Sequence, residues 1–158
     1  AHPDLDALVV PLGGGGLAAG TALAMHALAP NCQLYLAEPE GAADGARSFA
    51  KGALDHDFTP DTICDGLRGT LGAINFEILR ATGARVLTVG DTQVVAAMRL
   101  LWTRTKQLVE PSSATALAAV LANRALFEGR RVGIILSGGN VDLDALPGLF
   151  ALATEAQP

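Results

Sequence analysis

Charge is scarce in this chain: Asp, Glu, Lys and Arg make up 17% of 158 residues, and the lysines are only Lys51 and Lys106. The balance is acidic, −5 at pH 7 with histidine neutral. With no basic stripe to neutralise a phosphate backbone, binding to nucleic acid or to an acidic membrane surface is excluded as the main task. Cysteine is equally sparse, and Cys32 and Cys64 lack any metal-ligand spacing, so two buried free thiols in a reducing compartment are expected rather than a disulfide. No apolar run approaches the ~20 residues of a membrane span, and Ala1-His2-Pro3-Asp4-Leu5-Asp6 has neither the charged nor the apolar region of a secretory signal. A soluble, cytoplasmic chain of one domain is the expectation.

Half of the residues are apolar, and alanine and glycine are abundant, which suits close packing of helices on a sheet. The apolar run Ala7 to Val10 reads as a strand, and Leu17 to Leu28 as a helix with Leu17, Thr21, Leu23, Ala24 and Leu28 on its apolar face. Gln33 to Glu38 is a second strand, Gly41 to Gly52 a short helix, and Ala53 to Thr62 a surface loop. A helix over Ala73 to Ala81 leads to a third strand, Arg85 to Val89. Asp91 is expected to cap a helix from Thr92 to about Leu108 with a stripe of Val94, Val95, Met98, Leu101, Trp102 and Leu108. Pro111 and a capping serine open another helix that runs to Leu126. Val132 to Leu136, unbroken in its apolar character, reads as a strand buried on both faces. Strands alternating with helices predict an α/β fold with a parallel, doubly wound, Rossmann-like sheet, whose strands all deliver their loops to one edge.

Between the first strand and first helix stands Pro11-Leu12-Gly13-Gly14-Gly15-Gly16-Leu17. Glycines let a ligand approach the backbone, and the loop's N–H groups, backed by the positive end of a helix, form an anion site for which phosphate is the natural guest. Gly14-Gly15-Gly16-Leu17-Ala18-Ala19 also fits the dinucleotide pattern G-x-G-x-x-A, with Glu38 where a ribose-binding carboxylate belongs, so an NAD- or effector-binding Rossmann-like module is one reading. A second loop, Ser137-Gly138-Gly139-Asn140, follows a strand and could bring a hydroxyl to a ring held over the sheet edge. His2, His26 and His56 match no motif.

These loops, with Ala37-Glu38-Pro39, Thr62-Ile63-Cys64-Asp65-Gly66 and Leu108-Val109-Glu110-Pro111-Ser112-Ser113-Ala114, occur in an order and at a spacing that resembles the fold-type II pyridoxal-phosphate enzymes. Within them the chain is similar to the serine/threonine dehydratase (threonine ammonia-lyase) and serine racemase family. The resemblance implies that Gly13, Gly14, Gly15 and Gly16 hold the phosphate of pyridoxal 5′-phosphate and that Ser137 meets its pyridine nitrogen. A serine does not keep that nitrogen protonated, which favours β-elimination or racemisation over transamination. Asp65, Gly66, Glu110 and Gly138 are implied as site-lining. Glu38, the carbonyl of Ala42, and Asp44 match the family's divalent-cation loop, suited to Mg²⁺, Ca²⁺ or Mn²⁺; a solvated carboxylate pair is the plain alternative.

The family's Schiff-base lysine motif has no match at Lys51 or Lys106. Residues 1–158 therefore read as the carboxyl-terminal part of the large cofactor-binding domain, inactive alone, of a threonine/serine ammonia-lyase acting on a small amino acid. Serine racemase is the alternative. The resemblance further implies a homo-oligomer, a dimer in the full-length enzyme.

Overall fold

The computed structural model describes residues 4–154, so His2 lies outside the described residues. Four strands, β1 (Ala7–Pro11), β2 (Gln33–Pro39), β3 (Arg85–Val89) and β4 (Val132–Ile134), form one sheet in the order β3-β2-β1-β4. Every pairing is parallel, with Val10 opposite Leu36, Leu36 opposite Val86 and Val9 opposite Ile134. The α/β expectation holds.

Alternation along the strands builds two cores. Ala7 and Val9 on β1, with Tyr35 and Ala37 on β2, face a cluster that includes Val94, Met98, Ala114 and Ala118. Their neighbours Val10, Leu34 and Leu36 face the opposite cluster with Ala18, Ala22, Phe76 and Leu79. Because successive side chains of a strand point to opposite faces, each inner strand is apolar along most of its length and is covered on both sides. Helices α1 (Gly16–Leu28) and α3 (Ala73–Ala81) cover one face; α4 (Asp91–Thr105) and α5 (Pro111–Ala122) pack against each other on the other. A 3₁₀ turn (Glu40–Ala42) and α2 (Asp44–Lys51) follow β2, while α6 (Arg124–Phe127) and α7 (Leu146–Thr154) complete the helices.

Several local expectations are corrected. The face α1 buries is its alanine face, Ala18, Ala19 and Ala22, whereas Leu17, Leu23 and Leu28 are exposed. Small side chains win because they let the helix backbone lie close to the sheet. Asp91 does not cap α4: Gly90 holds that position, and the Asp91 carboxylate accepts bonds from Thr62 Oγ1 and Ile63 N–H at 2.6 and 2.9 Å. That clamp draws Thr62 into the interior, and Asp55 is buried too, so residues 53–62 are not simply a surface loop. Leu108 lies beyond α4 and is exposed, and Trp102 is only half-buried. No serine caps α5; Glu110 is its N-cap and Pro111 its first residue, a position where a missing N–H costs nothing. The helix ends at Ala122, with α6 separate. β4 is an edge strand of partial exposure rather than one buried on both faces, because its only partner among the described residues is β1. α7, unanticipated, packs on α4 through an edge-to-face contact of Phe150 with Trp102.

Replacing Ala19 with leucine is expected to destabilise the fold by about 1–3 kcal/mol through overpacking, while Leu28→Ser at the exposed end of α1 shifts stability by no more than about 0.5 kcal/mol. Urea denaturation of the two variants checks the assignment of the buried face.

Candidate functional site

The chain runs from β1 to β2 and β3 on one side, then returns to place β4 on the other side of β1. Strand order therefore reverses between β1 and β4, and the crevice outside their carboxyl ends is where open parallel sheets bind ligands. The glycine loop leaves β1 there, and Ser137 follows β4. Both line a cleft of about 200 Å³ together with Gly66 and Leu67.

Two glycines are required by the loop's geometry. Gly15 has φ 86°, and a Cβ there would stand 2.6 Å from Leu71 Cδ1 and 2.9 Å from Asn75 Cβ. At Gly13 a Cβ would come within 3.1 Å of the Gly66 carbonyl oxygen. By contrast nothing lies within 4 Å of a Cβ placed on Gly16, and the nearest atom to one on Gly14 is 3.7 Å away. Among the described residues, none of the N–H groups of Gly13, Gly14, Gly15 and Gly16 donates a hydrogen bond within the protein. Such donors need a partner from water or a ligand, and at the first turn of α1 an anion is favoured. The Gly14 carbonyl is pinned by Asn75 Nδ2 at 2.7 Å and by the Gly72 N–H at 3.1 Å. Asn75 is a site-supporting residue the sequence reading missed; it sits on α3, remote in sequence, and no periodicity marks it.

The opposite wall is held by hydrogen bonds to loop backbone. Ser137 N–H donates to Ser113 Oγ at 2.9 Å, and Asn140 N–H to Glu110 Oε2 at 2.7 Å. Gly138 packs so closely on the Glu110 carboxylate that a Cβ would be 2.7 Å from Oε1. Asp65 accepts from the Gly66 N–H at 2.9 Å, and Gly66 N–H also reaches Ser112 Oγ at 3.0 Å. Of the residues expected to line the site, Gly66 borders the cleft itself, while Asp65, Glu110 and Gly138 brace its walls.

Glu38, Ala42 and Asp44 form a separate buried group at the end of β2. Glu38 is fully buried, and its two oxygens accept the N–H groups of Gly45 and Ala46 at 3.0 and 2.8 Å, at the start of α2. Burial pushes its carboxyl up to about 7 against the pull of those N–H bonds. Burial likewise raises Asp44, whose Oδ2 accepts the Leu71 N–H at 2.7 Å while its buried Oδ1 has no partner. Tied to α2 and withdrawn from the cleft, Glu38 is not a ribose-binding carboxylate, which corrects the dinucleotide reading. Among the described residues there is no cluster of three His, Cys, Asp or Glu that could hold a metal, so a cation here would depend on two carboxylates and the Ala42 carbonyl.

Neither lysine lines the cleft. Lys51 Nζ pairs with Asp55 at 2.7 Å, and Lys106 Nζ donates to the Thr103 carbonyl at 2.8 Å. Cys64 is buried against Thr115 Oγ1, with burial pushing its thiol up to about 11, as befits an inert thiol; Cys32 is half-buried rather than buried.

Known proteins resemble this chain over most of its length. Residues 1–138 match the family described as pyridoxal-phosphate dependent enzyme. An L-threo-3-hydroxyaspartate ammonia-lyase of Pseudomonas sp is 48% identical over 147 residues, covering 92% of this chain and 46% of the relative. Maize serine racemase superposes with TM-score 0.86 at 42% identity, covering 92% of this chain and 48% of that one. Threonine deaminase from T.th. superposes with TM-score 0.82 at 43% identity, covering 88% of this chain and 51% of that one. The chain thus spans about half the length of the relatives it matches.

Gly15→Ala is expected to cost about 1–3 kcal/mol, from the left-handed backbone and the approach to Leu71, whereas Gly16→Ala leaves stability within about 0.5 kcal/mol. Equal denaturation midpoints for the two variants would contradict this account of the loop.

Proposed function

The chain belongs to the fold-type II pyridoxal-phosphate dependent enzymes, and from that premise we propose that it forms the phosphate-holding part of an ammonia-lyase acting on a β-hydroxy amino acid. The observation that carries the reading is the set of four unengaged N–H groups at Gly13–Gly16, sharing one cleft with Ser137 at the switch point of the sheet. When bound, pyridoxal 5′-phosphate supplies the electron sink through which an α-proton and a β-hydroxyl leave. The glycine N–H groups and the positive end of α1 would hold its phosphate. Ser137, which lines the same cleft, would offer its hydroxyl to the ring nitrogen without keeping it protonated, which suits elimination better than transamination. Leu67 and the glycine loop line one side of the cleft.

The names of similar proteins include an ammonia-lyase of 3-hydroxyaspartate, a serine racemase and a threonine deaminase. Their common feature is a β-hydroxyl on the amino acid, so serine, threonine and 3-hydroxyaspartate are the substrates to separate; racemisation of serine is the second reading, favoured by the maize enzyme's likeness. The lysine that carries the cofactor belongs, in this proposal, to chain outside these 158 residues, since Lys51 and Lys106 are committed elsewhere. A cytoplasmic setting is supported by two free cysteines, and no described helix is long and apolar enough to cross a membrane. A homo-oligomer is part of the same reading.

Asp44, Glu38 and the Ala42 carbonyl would hold a divalent cation, with the unpartnered Asp44 Oδ1 as the oxygen that gains most. Such an ion would tie β2 to α2 and act structurally.

Two outcomes are expected of the full-length enzyme. It releases a 2-oxo acid and ammonia from at least one of the three β-hydroxy amino acids, and Gly14→Asp, which sets a carboxylate against the phosphate, weakens pyridoxal-phosphate binding by at least about tenfold in an absorbance titration. Undiminished affinity in that variant would sink the assignment of the loop. In a thermal melt Mg²⁺ or Ca²⁺ raises Tm by about 2–4 °C per kcal/mol of binding linkage, and Asp44→Asn abolishes the rise.

A further inference from the structure

The first turn of α5 carries two serines that the proposed function does not use. Ser112 is 2% exposed and Ser113 0%, yet neither caps the helix. Alanine is the better helix former at such a position, so a buried serine that does no capping needs another reason to be there. The hydrogen bonds supply one. Ser113 Oγ accepts the N–H of Ser137, while Ser112 Oγ accepts the N–H of Gly66 and donates to Asp65 Oδ1 at 3.4 Å. One serine serves each wall of the cleft.

We propose that Ser113 is the positioning residue for Ser137, fixing where the Ser137 hydroxyl meets the ring nitrogen of pyridoxal 5′-phosphate. This rests on the role given to Ser137 above. The need for such a residue follows from where the sheet ends. The β1–β4 ladder is continued past Ile134 by the Ile135 N–H, which donates to the Val9 carbonyl at 2.9 Å, and Ser137 lies beyond it. From there the backbone is held from α5 instead. Ser113 takes the N–H of Ser137, and Glu110 takes the next two points, its own N–H donating to the Gly138 carbonyl at 3.2 Å and its carboxylate accepting from Asn140. Glu110 fixes the far end of the loop, and Ser113 fixes the peptide that carries the Ser137 side chain. Without that bond the Ser137 peptide is free to rotate, and its hydroxyl loses a defined place.

Hydrogen exchange at single amides, measured on the cofactor-free full-length protein, tests the tie without reference to activity. Ser113→Ala should speed exchange at Ser137 by about 2- to 10-fold, the worth of one hydrogen bond, and leave Gly66 unchanged. Ser112→Ala should leave Ser137 unchanged, since the Gly66 N–H that it releases keeps Asp65 as acceptor, and Ser113→Thr, which retains the hydroxyl, should keep Ser137 protected. Unchanged exchange at Ser137 in Ser113→Ala, or equal acceleration at both amides in either variant, overturns the proposal. With pyridoxal 5′-phosphate bound, Ser113→Ala should shift the cofactor's absorbance and fluorescence in the same direction as Ser137→Ala. An unmoved spectrum in Ser137→Ala overturns the role of Ser137 on which the proposal rests. A spectrum moved by Ser137→Ala but not by Ser113→Ala overturns the role of Ser113 alone.

Discussion

Everything near the cleft depends on β1 being hydrogen-bonded along both of its edges. It pairs with β2 from Ala7 to Pro11 and with β4 from Ala7 to Val9. A strand so placed has no freedom to slide, since a shift by one residue would turn Val9 and Val10 to the wrong cores. Its carboxyl end therefore emerges at a defined height, and the glycine loop starts from a fixed point. The unengaged N–H groups of that loop face the cleft, where water or a ligand can partner them, while the sheet and α1 hold the flanking backbone.

The two walls of the cleft are secured differently. On the glycine side, steric closeness dominates: Gly13 lies against Gly66, Gly15 against Leu71 and Asn75, and the Gly14 carbonyl is pinned to α3. On the Ser137 side, polar side chains from one helical turn hold loop backbone. The first arrangement leaves little room for an added carbon at its tight points, and the second loses a backbone tie when a hydroxyl or carboxylate is removed. Behind both, Glu38 and Asp44 take up the N–H groups at the start of α2 and at Leu71, although the interior resists the ionisation of both buried acidic groups.

Much of this is legible in the chain itself. The four strands, the helix over Ala73–Ala81 and the parallel topology follow from apolar runs and turn residues, and the loops of the site stand out as glycine clusters at strand ends. The departures share a cause. Leucine is more apolar than alanine, which points Leu17, Leu23 and Leu28 toward the core, but α1 packs on the sheet through Ala18, Ala19 and Ala22 instead. Asp91 and the serines of α5 have the chemistry of caps, and each is drawn instead to backbone donors brought near from elsewhere in the chain. α7 carries an apolar stretch with weak periodicity, and its place is set by packing on α4, where Phe150 meets Trp102.

By itself the sequence determined the α/β class, the position of the glycine loop between β1 and α1 and the family, because these depend on local periodicity, on glycine's lack of a side chain and on motifs readable in order. The tertiary structure alone decided which face of α1 is buried, that Glu38 is engaged by Gly45 and Ala46, and that Ser113 and Glu110 brace the Ser137 loop. Those outcomes turn on distances between segments far apart in the chain, and a hydroxyl or carboxylate carries no local mark of which distant N–H it will meet.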